Sequence, residues 1–89
     1  MVSKEEFKDE VWEIAAEIHA VPRQIRVMNM KRKIGSCSSK KIITFDISIL
    51  NFEGSLRREV IVHELLHLRY QNHGKLFQAV LKSYLSRVR

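Results

Sequence analysis

Three imidazoles and a carboxylate fall within eleven residues of this chain, at His63, Glu64, His67 and His73. On a helix, residues four apart lie one above the other, so His63 and His67 can direct ring nitrogens at one metal ion. Glu64, one position on, then stands beside that ion and outside its ligand set. His63-Glu64-Leu65-Leu66-His67 is the H-E-x-x-H pattern of zinc peptidases, in which the glutamate is a general base toward water activated by the metal. A catalytic zinc ordinarily has three protein ligands and one open position. No Asp or Glu follows Glu64, which leaves His73 as the third-ligand candidate. Asn72 and Gly74 flank it and can turn the chain back toward the metal. The His67-to-His73 spacing equals that of H-E-x-x-H-x-x-G-x-x-H, but Tyr70 stands in place of the turn glycine and no methionine follows His73. The pattern fits a different three-histidine zincin, holding one Zn²⁺. A bare H-E-x-x-H arises by accident in helices, but here three of the chain's four histidines fall in one spaced cluster.

These side chains need a helix to present them. Leu56, Val60, Ile61 or Leu65, and Leu68 recur at three- and four-residue intervals without Pro or Gly before Gly74. This spacing predicts a helix from about Ser55, as N-cap, to about Tyr70. Upstream, Ser3 and Glu6 form a capping box, and Phe7, Val11, Ile14, Ala15 and Ile18 make an apolar stripe ending before Pro22, with Trp12 at its margin. His19 ends that helix and reads as a charge partner for its dipole, not as a ligand. Ile25 to Met30 and Ile42 to Ile47 read as strands, and Gly35-Ser36-Cys37-Ser38-Ser39 between them as a turn. A last helix starts near Gly74 or Lys75 and buries Leu76, Phe77, Val80, Leu81, Tyr84, Leu85 and Val88. The expected fold class is α+β in one domain spanning residues 1–89. Its elements are an N-terminal helix, an antiparallel strand pair, the active-site helix and a C-terminal helix.

Eighty-nine residues lie near the lower end of what a hydrophobic core alone can stabilise, so a bound metal should add to stability. Met1 to Glu10 is charged and lacks the apolar region of a secretory signal, and no apolar run reaches membrane-spanning length. The single cysteine, Cys37, excludes an internal disulfide and reads as a small packed residue. A cytoplasmic monomer is expected. The net charge of +6 is uneven: residues 21–52 carry seven Lys or Arg against Asp46 alone, and residues 65–89 carry five bases and no acid. Such segments can attract acidic substrates or nucleic acid, although few aromatics lie among the bases to stack on nucleotides.

Met30-Lys31-Arg32-Lys33-Ile34-Gly35-Ser36-Cys37-Ser38, Ile42 to Phe45, Val62-His63-Glu64-Leu65-Leu66-His67-Leu68 and Asn72-His73-Gly74-Lys75-Leu76-Phe77 together resemble the successive motifs of the YgjP-like metallopeptidase family. That family is related to the SprT-like and WLM zinc-peptidase domains. Ile34 departs from the pattern, which usually has tryptophan there. The resemblance implies a minimal zincin-like fold, zinc on His63, His67 and His73, and Glu64 as catalytic base. A peptide or protein substrate follows, aligned by strand addition to an exposed strand such as Ile42 to Ile47. The alternative is a metal-stabilised, non-catalytic binding module, DNA-associated through its basic segments, whose fourth metal position Cys37 would close.

Overall fold

Ser3 starts the first helix, as its sequence predicts. In the computed structural model, which describes residues 1–86, the Ser3 hydroxyl accepts from the Glu6 N–H and the Glu6 carboxylate accepts from the Ser3 N–H. Two otherwise unpaired helix donors are thereby satisfied at the start of α1 (Lys4–Glu17). Phe7, Val11, Ile14 and Ala15 are its buried face, and Trp12 lies at the margin. The helix ends in a left-handed turn at His19, where the His19 and Ala20 N–H groups bond to the carbonyls of Ala16 and Ala15. His19 therefore reverses the chain; it does not lie in the helix's last turn.

The sheet differs from the expected antiparallel pair. It has three strands, β1 (Gln24–Met28), β2 (Gly35–Cys37) and β3 (Ile42–Asp46), in spatial order β1-β3-β2. β3 pairs antiparallel with β2 and parallel with β1, so the segment read as a turn holds the strand that makes the sheet mixed. Gly35-Ser36-Cys37 has no branched or aromatic side chain to signal a strand, and β3 supplies the pairing instead. The reversal is tighter: the Ser38 hydroxyl accepts from the Lys40 and Ile42 N–H groups, and Lys41 adopts positive φ. β3 alternates as a half-buried strand should, with Ile43 and Phe45 fully buried.

Asp46 closes β3. Its carboxylate accepts from the Met30 N–H at 2.7 Å, tying down the connection between β1 and β2, and from the Ser48 N–H at 3.0 Å, capping a short 3-10 helix (Ile47–Asn51). The Ser48 hydroxyl first, and then these main-chain bonds, hold its carboxyl below the usual range. The next helix, α2 (Gly54–Leu66), is capped by Glu53 and not by Ser55, because the longer carboxylate reaches the N–H groups of Ser55 and Leu56. It stops at Leu66, short of Tyr70, with His67 as C-cap. The last helix, α3 (Lys75–Leu85), begins where expected and fully buries Phe77, but Leu76 is 63% exposed and points away from the core; Val88 lies outside the described residues.

One core joins these layers. The edge of the Phe7 ring meets the Phe45 ring at 5.0 Å, while Ile61, Val62, Leu65 and Leu66 of α2 belong to the same buried cluster as Ile25, Ile43 and Phe77. An ion pair fixes α1 to α2: Arg57 Nε lies 2.6 Å from Glu10, and Arg57 Nη1 donates to the Phe52 carbonyl. Both side chains are largely buried, so removing Glu10 strands a charge. Glu10→Ala should lower stability by about 1–3 kcal/mol, read as an earlier urea midpoint.

Candidate active site

α2 carries a burial pattern that splits its work. Ile61 and Leu65 point into the core, while His63 and His67, one turn apart, emerge half-buried on the opposite side. Between α2 and α3 the chain reverses through residues 67–74, and this turn brings His73 over the helical pair. His73 Nε2 lies 3.1 Å from His63 Nε2 and 2.8 Å from His67 Nε2. Ligand atoms of all three residues fall within 4.8 Å of one another, a group that could hold a metal ion.

The chemistry of this donor set fits a cation. Three imidazole lone pairs brought this close repel one another unless a cation or a proton sits among them. The His67 ring has its tautomer fixed from outside, because Nδ1 lies 3.0 Å from the Tyr70 carbonyl, an acceptor only. Nδ1 must therefore carry the proton, leaving the Nε2 lone pair directed at the cluster. Burial, followed by the neighbouring His67 and His73, lowers the His63 pKa and favours its neutral, ligand-competent form. Beneath all three rings lies Phe77, its ring centroid 4.8 Å from that of His73, 5.1 Å from His67 and 5.2 Å from His63. Sequence patterning marks Phe77 as core; its second role, as the apolar wall against which the imidazoles pack, depends on the angle between α2 and α3.

Glu64 is the one buried charged residue among those described, at 8% exposure. It lines a cleft of about 580 Å³ together with His63, His67, His73, Lys33 and Gln71. A second cavity of about 410 Å³ shares Gly35, His63 and Glu64 with the first and continues past Ile34 and Val60. Burial raises the Glu64 carboxyl pKa, while His73 and Lys33 pull in the other direction.

β2 forms one wall of this cleft through Gly35, Ser36 and Cys37. Burial and the adjacent Glu64 push the Cys37 thiol pKa upward, which disfavours a thiolate, and its sulfur is outside the three-histidine group. Cys37 thus does not complete the candidate metal site. Arg69 donates to the His19 carbonyl, and Tyr70 contributes its main-chain carbonyl to His67.

A fold of three helices and a small mixed sheet brings three histidines and a buried glutamate into one cleft. The chain belongs to the YgjP-like family: residues 2–89 match the YgjP-like metallopeptidase domain. An uncharacterized protein of Methanocaldococcus jannaschii is 33% identical over 90 residues, covering 96% of this chain and 82% of the relative. The crystal structure of the metallopeptidase zymogen jannalysin, from the same organism, superposes with a TM-score of 0.78 at 34% identity, covering 88% of this chain and 80% of that one. The metallopeptidase zymogen abylysin of Pyrococcus abyssi shares the fold, with a TM-score of 0.75 at 20% identity over 92% of this chain and 87% of its own. Membership of this family implies a metal ion and a peptide substrate. No helix among the described residues is long and apolar enough to cross a membrane.

The raised Glu64 pKa has a consequence for the metal-free chain. A carboxyl whose folded pKa exceeds its unfolded value binds more protons when folded, so its contribution to stability is fully present below about pH 4.3 and is lost as pH rises through the folded pKa. Glu64→Gln should therefore raise the Tm of chelator-treated protein at pH 7, and the gain should shrink toward pH 4. Thermal denaturation across that range checks the sign.

Proposed function

We propose that this chain is a zinc-dependent peptidase of the H-E-x-x-H type, with His63, His67 and His73 holding one Zn²⁺ and Glu64 acting as general base. The observation that carries this reading is the approach of His73 Nε2 to within about 3 Å of the Nε2 atoms of both His63 and His67, beside a buried carboxylate. Zinc, when bound, supplies Lewis acidity, acidifying water and polarising a carbonyl. Glu64 takes the proton of the attacking water on its carboxylate and delivers it to the leaving amine. A carboxyl pKa raised by burial makes that carboxylate a stronger proton acceptor than a solvated one. Phe77 and the Tyr70 carbonyl keep the imidazoles oriented. Lys33 and Gln71 line the same cleft and are our candidates for the donors facing the oxyanion.

The substrate strand is assigned differently from the sequence-based expectation. β3, the strand of Ile42 to Asp46, has both edges occupied, by β1 and β2, and cannot accept a peptide by strand addition. β2 is the free edge beside the cleft. The Ile34 carbonyl accepts from Asp46 and the Ser38 N–H donates to Ile42. By antiparallel alternation, the main-chain groups of Gly35 and Cys37 then turn away from β3 and are available to an extended substrate.

Two variants test the assignment. His73→Ala should fail to retain one equivalent of zinc under limiting metal, as measured by elemental analysis, while the parent retains it. Glu64→Gln should keep zinc and fold but lower kcat on a cleaved peptide by about 10²–10⁴-fold. Zinc bound equally by parent and His73→Ala would remove His73 from the site, and full turnover by Glu64→Gln would remove the base.

A further inference from the structure

From the packing of β2 on α2, we infer that Gly35 is the positioning residue for Glu64: the absence of a side chain there is what lets the carboxyl lie against the strand and face the cleft. This inference rests on Glu64 being the base. The chain has three glycines, and they are not equivalent. A Cβ on Gly74 would meet nothing within 4 Å, and one on Gly54 would meet chiefly the mobile end of Arg58, at 3.2 Å. A Cβ on Gly35 would stand 2.9 Å from Glu64 Cγ, 3.1 Å from Cδ and 3.2 Å from Oε2. The nearest of these atoms is the second carbon of the side chain, so the overlap cannot be relieved by swinging the carboxylate tip alone. Either the whole Glu64 side chain or the strand has to move.

Backbone conformation does not account for this glycine, since no glycine in the described residues has positive φ. Gly35 sits in an ordinary extended strand that any residue could adopt. Space is the remaining reason, and the space is occupied by Glu64. The carboxyl lies where the two cavities meet, flanked by His63 from its own helix and backed by Gly35. With the strand pressed against its γ and δ carbons, Glu64 faces the cleft. Added bulk at position 35 meets Glu64 first, since the three atoms nearest that Cβ position all belong to it and none to a histidine.

The test is a double-mutant cycle combining Gly35→Ala with Glu64→Ala, with Tm of chelator-treated protein as the first readout. Gly35→Ala should lower Tm by about 5 °C in the parent and leave it unchanged in the Glu64→Ala background, where the clashing side chain is gone. An equal penalty in both backgrounds overturns the inference. Should Gly35→Ala fail to fold, folding of the Gly35→Ala/Glu64→Ala protein supports it and failure of both overturns it. The second readout is kinetic: zinc-loaded Gly35→Ala should hold one equivalent of metal and show kcat at least about tenfold lower with KM within about twofold of the parent. Parent-like kcat in Gly35→Ala, with Glu64→Gln inactive, refutes the positioning role and leaves the base intact. Parent-like kcat in Glu64→Gln instead removes the base, while the Tm cycle still reports whether Gly35 shapes its position.

Discussion

Three imidazole nitrogens, that of His73 about 3 Å from each of the other two, are the constraint around which this protein is organised. Left to themselves, three lone-pair donors at that distance drive each other apart. The fold resists the repulsion in several ways. Helical periodicity fixes His63 over His67, the reversal between α2 and α3 swings His73 onto them, and Phe77 blocks retreat toward the core. The Tyr70 carbonyl adds a further restraint by fixing which nitrogen of His67 faces the cluster. A cation binding there would meet ligands already oriented, so little ordering entropy would remain to be lost on binding.

The same helix must also serve the core, and this double duty explains why α2 is buried so unevenly. Ile61 and Leu65 contribute to the apolar interior, whereas Glu64, between them and the histidines, is held in a desolvated position with no ion-pair partner at salt-bridge distance among the described residues. Burying a carboxylate in this way is unfavourable to folding and favourable to proton abstraction. The opposition is typical of functional sites, where local stability is surrendered for chemistry. Compensation comes from elsewhere in the fold, through the Glu10–Arg57 pair, the capped helix N-termini and the aromatic contact of Phe7 with Phe45.

β2 shows how little sequence information a strand beside a cleft needs. Three small residues paired to β3 supply one wall of the cleft, an open main-chain edge and the room in which Glu64 lies. Larger side chains would signal a strand more clearly and would fill the space that the site uses. The connection leading into it is held by Asp46, whose carboxylate bonds to Met30 sixteen residues earlier in the chain.

By itself the sequence determined the α+β class, the three helices, the capping box at Ser3, the inward face of α1, and the family. It also marked His63, Glu64, His67 and His73 as the residues to examine. All of these rest on local periodicity or on side-chain chemistry at short spacing, which act within a few residues. Tertiary structure decided what depends on contacts between distant segments. β2 became a strand because β3 paired with it, and the sheet became mixed because β3 inserted between β1 and β2. Glu53 outcompeted Ser55 as cap of α2 by reach, and Leu76 turned outward once Phe77 had taken the place beneath the histidines. The part played by Gly35 was invisible in the sequence for the same reason: a glycine in a Gly-Ser-Cys-Ser run reads as a turn until α2 is packed against it, and only then does the missing Cβ acquire a neighbour.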